Sequence, residues 1–150
     1  MCETKGGDEM IKAPKVEVNS NLTIQRKVTP EDTALNYGSG KLEKLFATPR
    51  LVALMIEASV KLIDEKLTEG FITIGRRAEV AHEKPTMLGQ TISVKVEVKS
   101  FNRDKILLEM TAFDEIGVIG RGTHERIIVN KQSLLHRAAQ RAEKLKNKDF

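Results

Sequence analysis

Tryptophan is absent from this chain and cysteine occurs once, at Cys2. A single thiol builds no disulfide framework and no cysteine cluster for zinc, so packing alone must hold the fold, and a reducing cytoplasm is the expected setting. No stretch approaches the ~20 apolar residues needed to span a bilayer. The N-terminus lacks the basic, apolar, small-residue order of a secretory signal, so no membrane partner is expected. Aromatic residues make up only 4% of the chain and are not interleaved with the basic ones, which argues against a stacking surface for nucleic acid. There is no phosphate-cradling glycine loop, and His82, His124 and His136 show no metal-ligand spacing. Neither a metal nor a resident cofactor is expected.

What the chain does contain is charge with a location. The formal net charge is +4 over 150 residues. Residues 131–150 carry all of it, as Lys131, Arg137, Arg141, Lys144, Lys146 and Lys148 against Glu143 and Asp149, which leaves the body neutral. Leu134, Leu135, Ala138, Ala142 and Leu145 recur in the same segment near helical spacing, so it reads as an amphipathic helix packed outside the body with a solvated basic face. Residues 1–14 read as a flexible leader, and 15–150 as one domain.

The most informative run is Phe46 to Ser59. Thr48 is placed to cap a helix with its hydroxyl and Pro49 to occupy the first helical position, where a missing N–H costs nothing. From Leu51 to Val60 apolar or small residues point in nearly every direction, so a helix of about 49–66 must be wrapped by its own domain or by a second copy.

Around this helix the pattern is extended. Val16, Val18, Leu22, Ile24 and Val28 alternate loosely as a first strand, and Thr29-Pro30-Glu31-Asp32 can start a short helical turn. Four strands are predicted after the helix, at 71–81, 91–101, 105–114 and 118–129, with short turns that make the last three an antiparallel meander. The simplest packing is an α+β fold, an antiparallel sheet wrapped around one long helix. A single sheet cannot cover that helix on every side, so a homodimer sharing a sheet edge is expected.

Several segments together resemble the hot-dog-fold thioesterases, in their fluoroacetyl-CoA thioesterase-like branch. These are Val28-Thr29-Pro30-Glu31, Gly38-Ser39-Gly40, Phe46-Ala47-Thr48-Pro49, Leu51-Val52-Ala53-Leu54-Met55, the spaced His82, Thr86 and Gly89, and Gly120-Arg121-Gly122-Thr123-His124-Glu125-Arg126. The resemblance implies a hot-dog dimer with active sites near the subunit interface, and hydrolysis of an acyl-CoA in which coenzyme A is part of the substrate rather than a cofactor.

It also implies site residues. Thr48 matches the active-site threonine and His82 the catalytic histidine. The family glutamate falls at Ile56, and Glu57 follows one step later; a step along a helix turns a side chain by about 100°, so Glu57 is either a displaced catalytic group or a rim charge. Ser39 and Leu42 stand where the fluoroacetate-specific branch carries phenylalanines, which implies a more open lid and a short or medium acyl group. Phe46 and Gly89 join them as expected substrate-binding positions, and Arg76, Arg77 and Lys84 flank the His82 strand as candidates for the nucleotide phosphates. The function expected is acyl-CoA hydrolysis; the alternative is a module that binds acyl-CoA without turning it over.

Overall fold

The computed structural model describes residues 15–147, so the expected leader lies outside the described residues. Five strands form one antiparallel sheet: β1 (Asn21–Lys27), β2 (Phe71–His82), β3 (Thr91–Asn102), β4 (Lys105–Phe113) and β5 (Val118–Asn130). Their spatial order is β1-β3-β4-β5-β2, with every pairing antiparallel. The expected meander is β3-β4-β5, and β1 and β2 are the two edges. Helix α1 (Thr48–Ile63) crosses one face of this sheet, and helix α2 (Lys131–Glu143) follows β5.

Alternation explains the core. Ile92, Val94, Val96 and Val98 on β3 and Ile106, Leu108, Met110 and Ala112 on β4 point to the same face, and all are buried. Helix α1 meets them with Leu51, Leu54, Met55, Ala58, Leu62 and Ile63. Truncating a side chain as enclosed as Leu51 or Met55 costs about 2–5 kcal/mol. Ser59 lies within this core because its hydroxyl donates back to the Met55 carbonyl at 2.8 Å. The opposite flank of α1 is less covered: Ala53 is exposed, and Val52, Ile56 and Val60 are only half-buried.

Two boundaries differ from the sequence reading, and the C-terminal helix is where it was expected. The first strand begins at Asn21 because Asn19 takes a left-handed conformation, φ 75°, that ends any extension from Val16. Helix α1 ends at Ile63 and tightens into a 3₁₀ turn over Asp64–Lys66. Helix α2 lies outside the sheet, started by Asn130, whose side chain accepts from the Ser133 N–H at 2.9 Å; none of its residues is fully buried and Leu134 is half-buried.

Candidate active site

The entrance of α1 is fixed by backbone hydrogen bonds from three directions. The Ala47 N–H donates to the Asp32 carbonyl at 2.9 Å, the Phe46 N–H to the Thr86 carbonyl at 2.9 Å, and the Ala34 N–H to the Leu45 carbonyl at 2.7 Å. Two carboxylates hold the partners in place. Asp32 accepts from the Thr29 N–H and hydroxyl, both at 2.8 Å, and from Arg50 Nε at 2.8 Å. Burial works to raise its pKa, but these donors outweigh it and hold it below the ordinary carboxylate value. Asp114 accepts from the buried Thr86 hydroxyl at 2.8 Å and from the N–H groups of Ile116 and Gly117. Its pKa is likewise depressed, because the hydrogen bonds from Ile116, Thr86 and Gly117 exceed the opposing effect of burial.

Thr48 does not cap the helix. Ala47 is the N-cap residue and offers no side-chain bond, Thr48 is the first helical residue, and Pro49 is the second. One position of difference turns the threonine hydroxyl away from the backbone and toward β2. Its Oγ1 lies 2.8 Å from His82 Nδ1, while Thr48 itself remains exposed to solvent. The His82 ring meets Phe46 edge-on, with centroids 5.9 Å apart and planes at 69°. Burial pulls the His82 pKa down, against an opposing contribution from the Lys84 backbone, so the neutral imidazole is favoured. His82 Nε2 is buried without a hydrogen-bond partner among the described residues.

These groups border an open cavity of about 330 Å³ whose walls include Leu45, Phe46, Thr48, His82 and Lys84. Thr48, on the cavity wall, opens the first turn of α1, where the backbone N–H groups of Thr48 and Arg50 have no carbonyl four residues earlier in the helix to accept them. An exposed hydroxyl, a neutral imidazole in contact with it and a helix N-terminus beside both make a site suited to attack on a carbonyl and to holding the negative charge that develops.

The model of the fluoroacetyl-CoA-specific thioesterase family matches residues 28–132. The chain belongs to that family. Fluoroacetyl-CoA thioesterase from Streptantibioticus cattleyicolor is 30% identical over 98 residues, which span 65% of this chain and 70% of the relative. A hot-dog-like protein from Thermanaerovibrio acidaminovorans superposes with TM-score 0.78 at 31% identity, over 83% of this chain and 91% of the other. A variant of the fluoroacetyl-CoA-specific thioesterase crystallised with fluoroacetate and CoA gives TM-score 0.74 at 27% identity, over 79% and 98%. The fold is thus the hot-dog fold of the thioesterase superfamily. The stretch matched to the family contains every residue bordering the Thr48–His82 cavity and ends in the first turn of α2.

Within this family member, Thr48, His82 and Phe46 come together with Lys84 on the same cavity wall, and the other sequence-derived positions do not. Glu57 turns toward β1, where it pairs with Arg26 and with Lys61 at 3.5 Å. Nine residues at 1.5 Å each put it about 13 Å along the helix from Thr48. Ile56 is half-buried at the position where the resemblance implies a glutamate. Ser39 sits in a left-handed turn, φ 62°, between Gly38 and Gly40; it and Leu42, which packs over Gly38, lie outside the cavity wall. Gly89, φ 95°, makes the turn into β3 and donates its N–H to the Val28 carbonyl at 2.9 Å, also away from the cavity. Arg77 pairs with Glu79 at 3.0 Å and Arg76 with Glu125 at 3.6 Å, and of the three basic candidates only Lys84 borders the cavity.

Two supports of His82 carry weak signals in the sequence. Gly120 faces His82 across the β2–β5 ladder. Midway along β2, His124 Nδ1 donates to the Arg77 carbonyl at 2.8 Å and its Nε2 accepts from Arg126 at 3.0 Å. Arg126 also donates to Thr73, whose hydroxyl donates to Asp64 at 2.6 Å. His124 is thereby structural, as its place within a strand suggests, and it holds β2 at the irregularity between Gly75 and Arg77.

Proposed function

We propose that this chain hydrolyses the thioester of a short or medium acyl-CoA to the free acid and CoA, and that Thr48 and His82 carry the chemistry. The observation behind this reading is the 2.8 Å contact between the Thr48 hydroxyl and His82 Nδ1 at the N-terminus of a buried helix, in a chain of a thioesterase family. Relatives are named for fluoroacetyl-CoA hydrolysis. Here Ser39 and Leu42 stand where the resemblance implies phenylalanines and lie outside the cavity wall, which supports a more open site for other short acyl groups.

His82 Nδ1 accepts the Thr48 proton, or the proton of a water held by Thr48, as the oxygen attacks the thioester carbonyl. The N–H groups of Thr48 and Arg50 receive the oxyanion, a contribution worth roughly 10²–10³ in rate per donor at such sites. Collapse expels the CoA thiolate, which takes a proton from the His82 imidazolium. If Thr48 was the nucleophile, a water activated by the same imidazole releases the acid. Either route consumes one water and yields one carboxylic acid and one thiol. Glu57 takes no part.

The working unit is a homodimer in the cytoplasm. The half-covered flank of α1 at Val52, Ala53 and Ile56, together with the edge strand β2, supports a second copy as the missing wall. A single thiol fits a reducing compartment. Release of free thiol from acetyl-, butyryl- and octanoyl-CoA tests the activity, and light scattering tests the dimer. Turnover of at least one thioester by a particle of twice the chain mass is expected; a monomer, or no thiol release from a protein that binds CoA, contradicts the reading.

A further inference from the structure

Helix α2 carries an apolar stripe of which only Leu134, at its start, is half-buried. Leu135 and Leu145 are 57% and 61% exposed, and no residue of α2 is buried. Arg137, Arg141 and Lys144 follow one another along one flank of the stripe at helical spacing, on a body with no net charge of its own. The family match ends at residue 132, so the helix lies almost wholly beyond it.

Its starting point is fixed at a particular place. Asn130 pairs with Phe71, and the Lys131 N–H donates to the Gly70 carbonyl at 2.9 Å, so α2 leaves the sheet at the Phe71 end of the edge strand β2. Antiparallel pairing of β2 with its own copy sets the Phe71 end of one strand against the His82 end of the other. The copy's strand then lies two strand spacings from β5, about 10 Å. Thirteen helical residues extend about 20 Å, enough to cross that distance. Past the His82 end of β2, Met87 is 63% exposed and bridged to the cavity residue Leu45, its neighbour Leu88 is 39% exposed, and Leu42, three residues before Leu45, is 48% exposed.

We propose that α2 of each subunit lies across the mouth of the other subunit's Thr48–His82 cavity, with its leucines on Leu42, Met87 and Leu88 and with Arg137, Arg141 and Lys144 meeting the phosphates of CoA. The proposal rests on the dimeric thioesterase reading above. It gives the substrate's nucleotide a cationic partner that the cavity, with Lys84 as its one lysine, otherwise provides thinly. Basic amphipathic helices also bind anionic lipid surfaces, but this stripe is leucine and alanine with no aromatic anchor between 131 and 147.

The test uses the full-length Arg137→Gln/Arg141→Gln/Lys144→Gln variant, whose changes are all on exposed positions. Calorimetric affinity for CoA is expected to fall by about tenfold or more, with affinity for pantetheine, which lacks the nucleotide, held within about twofold. Mixing this variant with His82→Ala then separates the two arrangements. In the mixed dimer the intact His82 faces the intact helix, so hydrolysis returns with the wild-type KM, although neither parent alone shows it. Unchanged CoA affinity, or a mixed sample that keeps only the raised KM, overturns the proposal. So does loss of binding to anionic phosphatidylserine vesicles without loss of CoA affinity. Wild-type protein that binds CoA but releases no thiol refutes the thioesterase reading alone, and the calorimetric comparison still decides the role of the helix.

Discussion

Gly120 and His82 face each other across the β2–β5 ladder with no room for a methyl group between their strands. A Cβ on Gly120 would lie 2.6 Å from the Ala81 carbonyl oxygen, 3.4 Å from the His82 Cα and 3.4 Å from Leu51 Cδ2. The first of these neighbours is backbone and cannot swing aside, so any larger residue must push β2, and His82 with it, away from Thr48. Gly120→Ala is therefore expected to cost about 1–3 kcal/mol by overpacking. It is also expected to lower kcat roughly 100-fold, the usual consequence of misplacing a catalytic group by an ångström. Thermal unfolding and thiol-release kinetics on the same preparation measure both.

Thr48→Ala separates the chemistry of this hydroxyl from a capping role. A lost cap costs about 1 kcal/mol. Here the hydroxyl bonds His82 rather than the backbone, so the change in stability is expected to stay within about 0.5 kcal/mol, as for other exposed positions. Thiol release is expected to fall by roughly 10²-fold or more. Thr48→Ser, which keeps the oxygen, is expected to retain most of the rate.

The pH profile should follow His82. Burial depresses its pKa below the usual imidazole value of about 6.5. As a base the ring works when neutral, so kcat/KM is expected to rise with pH through a pKa below 6.5 and to be flat from there to pH 8. The same depression bears on stability: protons bind the unfolded chain more readily, so this contribution is present above pH 6.5 and is lost as pH falls through the folded pKa. A kinetic midpoint above 7 contradicts the assignment.

Glu57→Gln should be nearly silent. Its partner Arg26 and its own side chain are 43% and 38% exposed, and ion pairs that wet contribute about 0–1 kcal/mol. A turnover change under about twofold is expected, and a loss of 100-fold would place this carboxylate in the chemistry after all.

The sequence carried the fold more completely than the site. Alternation on Ile92–Val98 and Ile106–Ala112, and the apolar run after Pro49, led directly to the sheet and its central helix, because burial imposes those periods. The helix-start signal marks Thr48, but its pairing with His82 is legible only through the family pattern, since 34 residues separate them and it is the folding of β2 beside the helix entrance that joins them. The cap falls one position before Thr48 because Thr-Pro satisfies the start signal equally well with Ala47 outside the helix. Nothing local distinguishes Gly120 from a turn glycine; its role comes from the closeness of β2. The amphipathic period of 131–145 announced a helix correctly but not what covers it, because period reports a face and not a partner.

The most direct test of the account is thiol release from short and medium acyl-CoAs by the wild-type protein and by folded His82→Ala side by side. The account predicts turnover of at least one thioester by the wild type and a loss of 10²-fold or more in the variant. Equal turnover by both proteins would contradict it, because a thioesterase indifferent to His82 does not use the Thr48–His82 pair.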